Sequence, residues 1–227
     1  MTVRDIAHVE LYTRDKISAV RHYVATRGFV QVADCVEVDR SSALLRRGEA
    51  QLVITSGWAT RGFLARNGEG VADVAVTCGD VAATVEAARA YGATVTHGPQ
   101  GAPVVSGPGD VVHTLLPEPE PAPGARALPA GRTWIPYPEP APSAAPPEAL
   151  HRVVLGMPAE LLGPYAAFCE DVLGFTRRAP EGVAPAERAD DGPVLYGASG
   201  RAAFVLRARP PRDRAESDRS LCTTSIL

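Results

Sequence analysis

Cysteine is scarce and scattered: Cys35, Cys78, Cys169 and Cys222 are the only four, with no C-x-x-C pair among them. That spacing excludes a zinc ribbon, a dithiol redox motif and a disulfide scaffold. Cys78 and Cys169 sit in apolar stretches, where a small buried thiol is expected. Long apolar runs are missing too. None approaches membrane-spanning length, and no basic stretch followed by an apolar core opens the chain, so a reduced, cytoplasmic protein without a membrane partner is expected. Nor is there an excess of one charge. Lys and Arg total 23 against 26 Asp and Glu, a net charge of -3 with a pI near 6.0, which gives no electrostatic case for nucleic acid. The Arg-rich segment from Arg207 to Arg219 is interleaved with Asp and Glu and reads as a solvated tail. Neither G-x-S-x-G nor H-E-x-x-H is present, and the glycine-rich Asn67-Gly68-Glu69-Gly70 precedes a strand, so it reads as a turn rather than a phosphate loop.

What is present is a repeat. Ile6 to Phe29 opens as a strand with Ile6, His8, Glu10 and Tyr12 on one face. A helix follows, capped by Thr13 or Asp15, with Ile17, Val20 and Val24 expected on its buried side and Gly28 as its stop. Val71 to Ala93 repeats the pattern with Asp73, cap Asp80 and stop Gly92. His151 to Phe175 repeats it again with Leu161, Tyr165, Phe168 and Val172 on the helix face and Gly174 as stop. Extended, turn-punctuated sequence follows each copy, so the unit reads as β-α-β-β-β. Such a unit must pair with its copies to bury a face.

The expected fold is α+β, built from paired β-α-β-β-β modules. Residues 1–116 make a complete two-module domain. Eleven of the 21 prolines fall in residues 117–148, a density that no helix or central strand tolerates. This segment is read as an interdomain strap whose Trp134, Ile135 and Tyr137 pack on a domain. Residues 149–208 form the first module of a second domain and 209–227 a polar tail. No fourth unit appears before Leu227, so the second domain reads as half built.

His8, Asp73 and His151 occupy the same slot, the first strand of each unit. His113 lies in the last strand of the second unit and Gln51 in the last strand of the first. Histidines and a carboxylate converging on a curved sheet are ligand chemistry for Fe(II), Mn or Zn. His8, Asp73 and His113, with Gln51 as a further oxygen ligand, therefore form a candidate first-domain metal set.

The stretches GEGVADVAVTCGDVAATVEAARAYGA and GPGDVVHTLL resemble the first domain of the 4-hydroxyphenylpyruvate dioxygenase and 4-hydroxymandelate synthase family, within the vicinal oxygen chelate superfamily. The likeness runs from Ile6 to Leu116 and resumes from Leu150 to about Leu206. It implies a non-haem Fe(II) enzyme that oxidises a small 2-oxo acid, 4-hydroxyphenylpyruvate, with O2 and decarboxylation to homogentisate or hydroxymandelate. Two histidines and a glutamate of the second domain would hold the iron. By resemblance His151 is the first of these ligands. The other two belong to a fourth unit that the chain does not show, so turnover is expected to be weak or absent.

Two departures accompany the resemblance. Leu150-His151-Arg152 stands where the family carries Asp-His, and Gly192, Pro193 and Tyr196 replace the polar residues expected near the substrate. The alternative is a small-molecule binding protein of the same superfamily, of the sequestration or resistance type, metal-free or with a first-domain metal. In that case the half-built domain is expected to pair with its copy in a homodimer.

Overall fold

The computed structural model describes residues 3–98, 101–118, 128–138, 152–178, 191–200 and 202–209. The first repeat comprises β1 (Val3–Tyr12), α1 (Lys16–Arg27), β2 (Val30–Val36), β3 (Arg40–Arg47) and β4 (Ala50–Gly57). A helical turn and a short helix, α2 (Arg61–Asn67), lead into the second: β5 (Gly70–Cys78), α3 (Val81–Tyr91), β6 (Thr94–His97), β7 (Pro103–Ser106) and β8 (Val112–Pro117). Within the proline-rich stretch lies β9 (Ile135–Pro136). The third repeat runs β10 (Arg152–Met157), α4 (Ala159–Asp171), β11 (Thr176–Arg178), β12 (Asp191–Tyr196) and β13 (Ala203–Ala208).

Strand order is β6-β7-β8-β5-β1-β4-β3-β2-β9 in one sheet and β10-β13-β12-β11 in the other. Each repeat places its last strand parallel to its first: β4 beside β1, β8 beside β5, β13 beside β10. Antiparallel pairing of β1 with β5 joins the first two repeats into one curved sheet. The fold is therefore α+β with one complete two-module domain and a further single module. Among the described residues no helix is long and apolar enough to cross a membrane.

The local signals are chemical. Asp15 accepts a bond from Ser18 N at 3.0 Å and Asp80 one from Ala83 N at 2.9 Å, each satisfying a donor that the first helical turn leaves open. Gly28, Gly92 and Gly174 all adopt positive φ (67°, 87° and 70°), the left-handed conformation that ends each helix cheaply only without a Cβ. The face of α1 differs from expectation. Tyr23 is its buried residue, with Ala19 and Val20 beside it, whereas Ile17 is 60% and Val24 42% exposed. The large ring of Tyr23 lies edge-on against Phe29 and turns the helix toward it. On α4 the expected face is seen: Tyr165, Phe168 and Val172 are fully buried, each contributing about 1.5–3 kcal/mol.

The third module does not stand apart. One hydrophobic cluster runs from Val9, Leu52, Val74 and Leu115 through Val153, Tyr165, Phe168 and Leu206. Backbone bonds from Val3 N to Leu173 O (3.1 Å) and Ala198 N to Val3 O (3.3 Å) stitch the two parts together. The other face of the nine-stranded sheet is crossed by residues 128–138. There β9 pairs with β2, and Trp134 packs on Val32, Ala33, Leu44 and Val53.

Candidate functional site

Strand register decides which residues share a slot. Leu45 faces Leu52 two pairs from the β3–β4 turn, and Leu195 faces Phe204 at the same count in β12–β13. Val9 lies beside Leu52 and Val153 beside Phe204, all four buried on the helix side. The residue before each valine therefore points to the opposite, concave face: His8 in the first module and Arg152 in the third. Asp73, before Val74, holds the same place in the second. His151, the resemblance's first metal ligand, lies outside the described residues.

His113 occupies the helix-side slot of Leu52 and Phe204. Its ring is fully buried, at 5.8 Å from Phe168 and 5.7 Å from Phe204, stacked with both. Burial lowers its pKa to about 4, so the ring is neutral. Nδ1 faces the Val74 carbonyl at 3.3 Å and so carries the proton, and Nε2 accepts from the Tyr165 hydroxyl at 2.7 Å. Both nitrogens are occupied, on the face opposite Asp73. The expected set of His8, Asp73 and His113 is thus not brought together.

Glu10 and Asp73 are the carboxylates that do meet, opposite each other across β1 and β5. Glu10 is 6% exposed and accepts from Thr55 Oγ1 (2.6 Å) and from Arg132 Nη2 (2.5 Å), an ion pair supplied by the strap. Asp73 accepts from Thr114 N (3.0 Å) and Thr114 Oγ1 (2.5 Å). Burial pushes the Asp73 carboxyl up to about 7, and the Glu10 charge adds to the rise, while the Thr114 bonds and Arg132 oppose it. Burial and Glu10 also raise Tyr12 to about 12. Gln51 shares this face, 5% exposed, with an Oε1 that has no partner. The first cup is a polar site closed by Arg132.

On the concave face of the third module, Arg152, Ala203 and Tyr196 form one row across β10, β13 and β12, and Val154, Val205 and Val194 the next. The three valines are 8% exposed or less, with Tyr196 packed on them. Arg152 Nε is buried without a hydrogen-bond partner. Farther along β10 a cleft of about 500 Å³ opens between α2 and the start of α4, lined by Phe63, Asn67, Asp110, Val154, Leu161 and Arg209. Arg209 spans its edge, from Nη1 to Asn67 O (2.9 Å) and from Nη2 to Gly156 O (2.6 Å).

Residues 7–108 match the family described as the Glyoxalase/Bleomycin resistance protein/Dioxygenase superfamily. That match covers most of the first domain. A substituted form of 4-hydroxymandelate synthase from Streptomyces coelicolor is similar to 92% of the chain, at 27% identity and a TM-score of 0.73. A fusion of a xylose isomerase-like TIM barrel with 4-hydroxyphenylpyruvate dioxygenase shares the fold over 98% of the chain, at 16% identity and a TM-score of 0.67. The chain spans 65% of the synthase and 35% of the fusion.

The iron expected of a dioxygenase-type member of this superfamily does not fit the described side chains. No three His, Cys, Asp or Glu among them could hold a metal ion. In the first cup Arg132 already neutralises Glu10, and in the third module the repeated slot carries a guanidinium, which stays protonated and repels a cation. Glu10 was legible in the sequence, alternating with His8 and Tyr12. Arg132 carried no such signal, because nothing in a proline-rich stretch says which side chain will fold back.

Proposed function

We propose that the chain is a 4-hydroxyphenylpyruvate dioxygenase-like scaffold that binds an aromatic 2-oxo acid and, as these 227 residues, turns it over with Fe(II) and O2 weakly or not at all. One observation carries the reading: the chain follows 4-hydroxymandelate synthase over 92% of its length while its third module presents Arg152 in the slot that holds His8 in the first. The likeness supports the class of ligand, and the guanidinium argues against a bound cation at that position. The chain's own residues supply an apolar floor of three valines, a phenol at Tyr196 and a positive charge. That environment holds an acid but does not activate oxygen.

The test is oxygen consumption by the purified chain with ferrous iron and 4-hydroxyphenylpyruvate. The expected result is uptake no faster than in the protein-free control. Rapid uptake with formation of homogentisate or hydroxymandelate overturns the reading.

A second reading, sequestration of a small molecule in the first cup, is favoured by Gln51, whose buried Oε1 is unpartnered on that face. Homodimerisation belongs to the same reading. Among the described strands β10 pairs only with β13, which leaves its other edge open where β1 meets β5 in the first domain. A dimer in sedimentation is expected, and a monomer at all concentrations counts against it.

A further inference from the structure

We infer that Arg152 makes the concave face of the third module a receptor for a carboxylate, in the slot where a metal ligand was expected. This deepens the proposed function by naming the residue that holds the acid, and it rests on that reading only for the aromatic body of the ligand.

Three observations converge. The register of β10 against β13 fixes Arg152 on the concave side, beside Ala203, with Tyr196 next across the sheet. Ala203, 6% exposed, is the small residue of the row and stands between the guanidinium and the phenol. Arg152 Nε is buried and makes no hydrogen bond. A buried donor of a charged group left without an acceptor is costly, and natural structures retain such groups where a ligand or water completes them.

The chemistry of the surroundings selects the ligand. Val154, Val194 and Val205 offer no acceptor, and neither Ala203 nor Tyr196, the other members of the Arg152 row, carries a carboxylate. A guanidinium presents parallel N–H donors in a planar fork that matches the two oxygens of a carboxylate. The valines next to it suit an apolar body attached to that carboxylate. The cleft lined by Val154, Gly156 and Arg209 opens farther along the same strand, and Val154 belongs both to it and to the row of valines. A neutral ring without the acid group finds only the valines.

The experiment is calorimetric titration of the full chain, without added metal, with benzoate and phenylpyruvate as probes and benzamide as the neutral control. Wild type is expected to bind both acids and to bind benzamide far more weakly. R152Q keeps the length of the side chain but removes the charge and is expected to weaken benzoate roughly ten- to a hundredfold, with R152K in between. Should R152Q fold poorly, the 15N resonance of Arg152 Nε in the wild-type chain answers the same question, because it is expected to shift on addition of benzoate. Acid binding that is unchanged in R152Q, benzamide binding as tight as benzoate, or an Nε resonance indifferent to benzoate each overturns the inference. None of these readouts involves oxygen or iron, so rapid oxygen uptake in the earlier assay would sink the proposed function while leaving the Arg152 site to stand or fall alone.

Discussion

His113 Nε2 accepts a 2.7 Å hydrogen bond from the Tyr165 hydroxyl, tying the last strand of the first domain to the helix of the third module. The two residues lie fifty-two positions apart, with the proline-rich stretch between them, yet both are fully buried in one aromatic cluster with Phe168 and Phe204. The bond makes the docking of the third module chemically specific rather than merely apolar. Replacing Tyr165 by Phe leaves the shape and strands a buried ring nitrogen. The expected loss is about 1–3 kcal/mol of unfolding free energy, read from urea titration. An unchanged midpoint would show that the nitrogen finds water and that the bond is incidental.

Two buried groups give opposing pH dependences. His113 has a folded pKa of about 4 against 6.5 in the open chain, so its contribution to stability is present above pH 6.5 and lost as pH falls toward 4. Asp73 has a folded pKa of about 7 against 3.8, so its contribution is present below 3.8 and lost as pH rises through 7. Between 4 and 6.5 the slopes offset each other, and the wild type is expected to vary little there. D73N removes one slope. Its stability is expected to climb with pH across that window by up to about 1.4 kcal/mol per unit, measured by urea unfolding at several pH values. A variant curve parallel to the wild type would show that Asp73 titrates elsewhere.

The repeat was legible because each copy writes the same physics: alternation in the first strand, an Asp cap in two copies, and a glycine that alone adopts positive φ without strain at the helix stop. Slots within the repeat were less legible, since adjacent residues of a strand point to opposite faces and an error of one exchanges them. His113 shows the consequence. It reads as a ligand in Val112-His113-Thr114, but register against Val74 turns it to the helix side and leaves Thr114 facing Asp73. Arg152 shows the converse, entering the sequence reading only as the residue after His151. The α1 face was misjudged because Ile17 and Val24 are more apolar than Tyr23, while the ring of Tyr23 has Phe29 to pack against.

A buried ion pair adds to the β9 pairing and the Trp134 packing that hold the strap. Arg132 and Glu10 side chains are 12% and 8% exposed, and Arg132 also lies over the Trp134 ring at 5.8 Å. R132A is expected to leave Glu10 buried without its cation, at a cost of about 3 kcal/mol, less whatever water entering the cup recovers. Trp134 reports the event, since its indole N–H donates to Pro129 O at 2.7 Å inside the strap. In a W58F background, which removes the exposed second tryptophan, R132A is expected to shift Trp134 emission to the red. Emission identical to the parent would mean that β9 and the packing on Val32 and Leu44 hold the strap without the ion pair.

The contact between the first domain and α4 has a steric keystone at Gly107. A Cβ built there would stand 2.8 Å from Phe168 Cε1, 3.0 Å from Cδ1 and 3.2 Å from Cζ. Phe168 cannot retreat easily, because it is fully buried, stacks on His113 and meets Tyr91 edge-on at 5.7 Å. Adding one methyl group therefore forces either the β7–β8 turn or the helix to move, an overpacking cost of about 1–3 kcal/mol. Gly92→Ala is a useful contrast. No atom lies within 4 Å of the Cβ it would add, so its penalty comes from the positive φ alone and leaves the module contact untouched. Gly107→Ala is thus expected to loosen the third module selectively, with amide exchange accelerating along α4 and β8 while β3 and β4 stay protected. Gly92→Ala is expected to lower stability without that pattern. Uniform acceleration in both variants would mean that the two domains unfold as one unit and that Gly107 is a packing detail rather than the contact that seats the third module.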